Sequence, residues 1–141
     1  MAAYGAKLAV RNALNGDARG HLYRSTGRYV RFDEKKAREQ GKDVKTSVLG
    51  LEHVPRALTT RDTRGLNKLV ADKTTDRLLG AHMIAPETGD SIQTAAIAIK
   101  SKMTATDLGN MIFPYLTMVE GLKLAAKTFD KDVNKLTCCA G

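Results

Sequence analysis

The sequence predicts an α+β domain: an antiparallel sheet of three to four strands with helices packed on one face. Three observations lead there. Two strand-like runs, residues 66–71 and 77–84, are separated by Lys73-Thr74-Thr75-Asp76, which reads as a hairpin turn. Two apolar helical patterns follow, one built on Ile92, Ala95, Ala96, Ile97, Ala98 and Ile99, the other on Leu122, Leu124, Ala125, Ala126 and Phe129. The chain has 141 residues, 43% of them apolar and 27% charged, the balance of one ordinary globular domain with a real core.

The elements follow in order. Residues 2–14 read as a helix, with Ala6, Leu8, Ala9, Val10, Ala13 and Leu14 on one stripe and Lys7 and Arg11 opposite. Asn15-Gly16-Asp17 stops it, since glycine suits a left-handed cap. Residues 28–32 alternate weakly, as a short strand would, and residues 33–40 read as a charged surface helix ending near Gly41. Residues 44–49 form a plausible strand ahead of the hairpin. Pro86 fits the first turn of the next helix, residues 87–99, which is apolar enough to be largely buried. Thr104 with Asp107 starts a short helix through a Thr-x-x-acid cap. Residues 113–116 form a turn, and Thr117 with Glu120 reads as a capping box opening a last helix to Phe129. A tail follows, residues 131–141, ending in Cys138-Cys139-Ala140-Gly141.

Charge and cysteines narrow the function classes. The net charge is +8, and residues 1–65 hold +7 of it. Much of the excess lies between Arg19 and Lys45, beside Tyr23, Tyr29 and Phe32. A solvated basic surface is the favoured reading, and a nucleic-acid interface stays open beside it. No apolar run approaches the roughly 18 residues that a membrane helix needs, and the first residues carry no secretory pattern, so a cytoplasmic setting is expected. Adjacent cysteines cannot staple distant parts of a fold, and a bond between neighbours closes a strained ring. Cys138 and Cys139 therefore suit thiol chemistry or capture of a soft metal, against the plainer reading of an inert pair. The glycines are scattered, with no Gly-x-Gly-x-x-Gly and no P-loop, so the chain offers no site for a dinucleotide. His21, His53 and His82 lie far apart in sequence, which argues against a zinc centre.

A resemblance adds to this reading. The stretches Asp62-Thr63-Arg64-Gly65-Leu66-Asn67-Lys68-Leu69-Val70-Ala71-Asp72, Arg77-Leu78-Leu79-Gly80-Ala81-His82-Met83-Ile84-Ala85-Pro86 and Ile92-Gln93-Thr94-Ala95-Ala96-Ile97-Ala98-Ile99 resemble the C-terminal dimerisation domain of the flavin-dependent disulfide oxidoreductases. The run from Phe113 through Pro114, Tyr115 and Glu120 to Ala126, with the terminal cysteine pair, resembles the mercuric reductase family within them. The likeness runs from about Gly41 to Gly141, and residues 1–17 resemble the helix leading in from the flavin domain. It breaks between Ala18 and about Lys36, where the chain is shorter and more basic than the family pattern.

The resemblance implies four parts: residues 1–17 as a lead-in helix, 18–40 as an atypical basic segment, 41–130 as the dimerisation domain and 131–141 as a tail with vicinal cysteines. It implies that Cys138 and Cys139 capture Hg(II) and hand it onward, and that Tyr115 and Glu120 lie near the ion's path, Glu120 having the cap as its plainer role. It implies FAD and NADPH in the complete enzyme, with no site for either in this chain. It also implies a homodimer, with residues 117–129 and 87–99 near the interface. By itself the chain is then not catalytically competent. A free-standing soft-metal-binding dimer module is the alternative.

Overall fold

A computed structural model describes residues 26–133. The helix expected over residues 2–14, its stop at 15–17, His21 and the cysteine-bearing tail from 134 onward lie outside the described residues.

Four strands form one antiparallel sheet: β1 (Thr26–Arg31), β2 (Val44–Gly50), β3 (Leu66–Asp72) and β4 (Leu78–Ala85), in the order β1-β4-β3-β2. The α+β expectation holds, with four strands rather than three. The hairpin falls where its turn chemistry put it: Asp72 Oδ1 accepts from the Thr74 and Thr75 amides at 3.1 and 2.8 Å, tying the turn to the end of β3. β1 forms inside the segment where the family resemblance breaks, pairing with β4 from Thr26↔Ala85 to Arg31↔Gly80. Gly80 allows the chain to pass close by, since a Cβ there would lie 1.8 Å from the Phe32 carbonyl oxygen.

Among the described residues five α-helices lie between or after the strands: α1 (Glu34–Glu39), α2 (Pro55–Thr59), α3 (Thr88–Lys100), α4 (Ala105–Asn110) and α5 (Glu120–Lys127). Two helices open on side-chain caps, and the one at Thr104 is as the sequence predicts. The Asp33 side chain accepts from the Lys36 amide at 2.7 Å at the head of α1, and Thr104 and Asp107 exchange reciprocal bonds of 2.9 and 3.0 Å at the head of α4. Three details differ. Thr117 does not cap α5; its hydroxyl donates to the Pro114 carbonyl at 2.8 Å, because Leu116 at φ 66° folds the chain back on itself. α5 then starts at Glu120 from Val119, with no side-chain cap. Pro86 sits in the turn ahead of α3, which begins after Glu87 in a left-handed conformation at φ 57°. And α3 is buried along one stripe, Thr88, Ser91, Ala95, Ala98 and Ile99, while Ile97 faces out.

Side chains alternate between the two faces of a strand, so register assigns the core. Ser47 and Leu49, Asn67, Leu69 and Ala71, and Ala81, Met83 and Ala85 share the face covered by α3 and α5. There they join Leu108, Met118 and Leu122 in the main core. Each fully buried Leu contributes about 1.5–3 kcal/mol relative to exposure. The other face carries a second, small cluster: Val44 and Val70 beneath Ala37 of α1. A polar knot closes the hairpin end of the main core. Lys45 Nζ lies 2.7 Å from Asp76 Oδ1, and Asp76 Oδ2 accepts from the Thr106 amide and hydroxyl at 2.9 and 2.7 Å. Among the described residues, no helix is long and apolar enough to cross a membrane.

Candidate functional site

Two of the four sequence-predicted site residues lie among the described residues: Tyr115 in the loop between α4 and α5, and Glu120 at the start of α5. The loop cannot extend α4, because Pro114 lacks an amide hydrogen and biases the preceding residue away from helix. Phe113 packs against the main core and Met118 is buried in it, so the loop is pinned at both sides. Between these anchors the Thr117–Pro114 bond closes the turn. The turn projects Tyr115 outward, 65% exposed, and Ile112 beside it is 96% exposed. A tight turn held by the partly buried Phe113 and the buried Met118 is a stiff mount for an exposed phenol.

Glu120 has the opposite setting. It is 5% exposed, and its Oε2 has no hydrogen-bond partner among the described residues. Its place in the first turn of α5 suits a carboxylate, because the free amides there carry the positive end of the helix dipole. No hydrogen bond joins Tyr115 to Glu120 among the described residues, so the structure brings the two close in sequence but does not pair them. Cys138 and Cys139 lie outside the described residues. His53 lies 3.7 Å from Glu52, while His82 stacks on Tyr29 at 6.0 Å, its Nε2 3.4 Å from the Phe32 carbonyl. Among the described residues no three His, Cys, Asp or Glu side chains converge on a point where a metal ion would sit.

Two features escaped the sequence reading. The first is Asn67, an amide fully buried on the core face of β3, with neither polar atom hydrogen-bonded among the described residues. A Cβ at Gly121 would lie 2.4 Å from Asn67 Nδ2 and 3.3 Å from Val54, so only glycine lets the start of α5 settle this close to β3. The available signal was a polar residue in phase with Leu69 and Ala71. The second is the charge along the outer side of α5. Burial first, and then the neighbouring ammonium groups of Lys123 and Lys131, hold the Lys127 ammonium below its ordinary value.

Comparison with known proteins places this geometry. Residues 30–126 match the family described as "Pyridine nucleotide-disulphide oxidoreductase, dimerisation domain". A mercuric reductase of Bacillus cereus is 49% identical over an alignment of 150 positions that takes in 100% of this chain and 24% of the relative. A mercuric reductase of Serratia marcescens is 52% identical over 112 positions, covering 79% of this chain and 24% of the relative. Among solved structures, the Cu(II) complex of the HOCl-induced flavoprotein disulfide reductase RclA from Escherichia coli superposes with a TM-score of 0.68 at 28% identity, covering 72% of this chain and 23% of that one. The chain thus spans about a quarter of the length of these curated relatives.

Proposed function

Because the chain belongs to the pyridine nucleotide-disulphide oxidoreductase dimerisation-domain family, we propose that it is the C-terminal dimerisation and Hg(II)-capture part of a mercury(II) reductase. One observation carries the reading: identity of about half to mercuric reductases along the whole chain, in a sequence that ends in vicinal thiols at 138 and 139.

The chemistry of those thiols supports it. Hg(II) is soft and prefers thiolate to oxygen or nitrogen donors. Capture by Cys138 and Cys139 breaks two S–H bonds, forms two S–Hg bonds and releases two protons, with no electron transferred. Lys131 and Lys135 lie a few residues upstream, and nearby positive charge favours the thiolate. Reduced thiols fit a cytoplasmic setting.

Reduction of the ion to Hg(0) takes two electrons, which NADPH supplies through FAD in the complete enzyme under this reading. The residues present do not fit either group. Among the described residues the sheet is wholly antiparallel, with no strand–turn–helix unit whose glycines could cradle a pyrophosphate. This chain's share is to bind the ion, to dimerise and to hold Tyr115 where a partner's site can use it. Glu120 lies buried at the start of α5, directly after the loop that carries Tyr115. Met111, Ile112 and Tyr115 in the loop, with Ile97 on α3, supply exposed apolar surface for a homodimer. α5 itself directs its apolar side chains into the chain's own core.

The test is titration of the purified chain with Hg(II), followed by the thiolate-to-metal absorption band and by proton release. The wild type should bind one ion tightly, with affinity falling as pH drops because each ligand must lose its proton. A Cys138→Ala/Cys139→Ala variant should lose that band. Equally tight binding by the double variant would remove the cysteines from the reading. Flavin bound to the chain, or NADPH turnover by it, would overturn its assignment as the non-redox part.

A further inference from the structure

A groove of about 190 Å³ opens between α4 and the end of α5. The α4 residues that line it, Ala105, Thr106, Gly109 and Asn110, carry no charge. From the other side come Ala126 and Lys127 of α5, with Asp130 and Lys131 just beyond the helix end. A Cβ at Gly109 would lie 3.4 Å from Lys127 Cγ, so the glycine lets the lysine stem lie against α4. A side chain already confined by its stem loses less freedom when it reacts.

Lys127 is also the middle of a row. Lys123 stands four residues before it and Lys131 four after, a spacing that keeps side chains on one side of a helix. The row outlasts α5, because the Lys131 amide donates to the Lys127 carbonyl at 3.2 Å. Burial, with Lys123 and Lys131 next in weight, holds the Lys127 ammonium below its ordinary value even with the Asp130 carboxylate at the groove. More of this amine is therefore unprotonated than at a lysine of ordinary value, and only the unprotonated amine is a nucleophile. We propose that Lys127 is a site of covalent acylation, selective for small anionic acyl donors of the acyl phosphate class. The neighbouring ammonium groups draw the phosphate, and the uncharged side of the groove takes the short acyl chain. The neutral Nζ attacks the acyl carbonyl carbon. A C–N bond forms, the C–O bond to phosphate breaks, and phosphate leaves with the electron pair. The nitrogen sheds its surplus proton to water, and nothing is oxidised or reduced. The amide product is uncharged, which removes the centre of a self-repelling row. The inference stands independently of mercury chemistry.

Acetyl phosphate is the probe. The full chain is incubated with it, and acetylation at each lysine is followed over time by peptide mass spectrometry. Lys127 should react several-fold faster than Lys35 and Lys100, which are exposed. In a Lys123→Gln/Lys131→Gln variant Lys127 should fall toward the rate of those two, while their own rates hold. With the neutral donor N-acetylimidazole the advantage of Lys127 should shrink. Acetylation of Lys127 no faster than at Lys100, an advantage that the double variant keeps in full, or one just as large with N-acetylimidazole would each overturn the proposal. The wild-type ranking and the comparison of the two donors decide it even if the double variant does not fold.

Discussion

The two faces of the sheet are held by different physics. On the α3–α5 face, strands and helices interlock through fully buried side chains such as Leu49, Leu69, Leu108 and Leu122. On the α1 face, the buried cluster is only Ala37, Val44 and Val70, with Phe32 and Leu79 partly buried against it, and α1 is further tied by the ion pairs Arg38–Glu34 at 2.9 Å and Lys68–Glu34 at 3.4 Å. Dispersion and desolvation scale with buried apolar area, whereas exposed ion pairs are screened and lose entropy on forming. Stability should therefore reside on the first face, and the second should be permissive. The family match begins at residue 30, near the end of β1.

The largest test of that contrast is truncation in the main core. Leu122→Ala removes a fully buried side chain in α5 and should cost about 2–5 kcal/mol in urea unfolding, depending on how far the site collapses. Val70→Ala, equally buried but facing α1, should cost clearly less, because it removes two methyl groups and its lining is Ala37 and Val44 with the partly buried Phe32 and Leu79, which can close in. Equal losses would mean that the two faces share one cooperative core.

Next is the junction between the faces. Gly80→Ala puts a Cβ on the Phe32 carbonyl, backbone against backbone, so β1 must shift away from β4. Overpacking of this kind costs about 1–3 kcal/mol. Amide exchange should quicken in β1 while β2 and β3 stay protected. Loss of protection throughout the sheet would show that β1 is integral to it.

Much of this was legible in the sequence, and the exceptions share a cause. The β3–β4 hairpin announced itself because turn residues and alternation agree, and Thr104 with Asp107 announced its helix through a local cap. β1 was faint because it is an edge strand whose charged residues Arg28 and Arg31 blur the apolar alternation. Thr117 met the local rule for a capping box yet bonds to Pro114, since the rule takes no account of the left-handed turn at Leu116. Ile97 belongs to an apolar helix but faces out, and periodicity does not say which neighbour an apolar side chain meets. Asn67 was overlooked because being unpaired is a property of the packed interior. Of the candidate site, Tyr115, Glu120 and the cysteine pair were found through the family motif, and none of them through composition.

A smaller effect separates the polar knot from the hydrophobic core that it closes. Burial pushes the Asp76 carboxyl up, but Lys45 and both Thr106 donors outweigh it and hold the group below its ordinary value. A carboxyl lowered in the folded state stabilises above its unfolded value, and that contribution is lost as pH falls through the lower folded value. Asp76→Asn should therefore cost about 1 kcal/mol at neutral pH. The gap to wild type should close in acid below the ordinary carboxylate range, where the wild-type carboxyl also takes up its proton. A gap that persists unchanged in acid would mean that the knot acts through shape and not through charge.

The smallest effect is expected at Glu34. Its carboxyl sits below its ordinary value, chiefly because Arg38 donates to it and then because Lys68 does. Lys68 reaches across from β3, so this carboxylate links the sheet to α1. Yet every partner is open to water, where salt screens charges over about 8 Å at physiological ionic strength. Glu34→Gln should leave the urea midpoint unchanged at that ionic strength and lower it slightly in dilute buffer. Such a result would assign the pair to the placement of α1 over Val44 and Val70 rather than to the stability of the fold. A midpoint that falls as far as in Gly80→Ala, and stays low when salt is added, would reverse the comparison. The α1 face would then be an anchored part of the domain, and a departure from the family pattern there would carry a cost that the main core must offset.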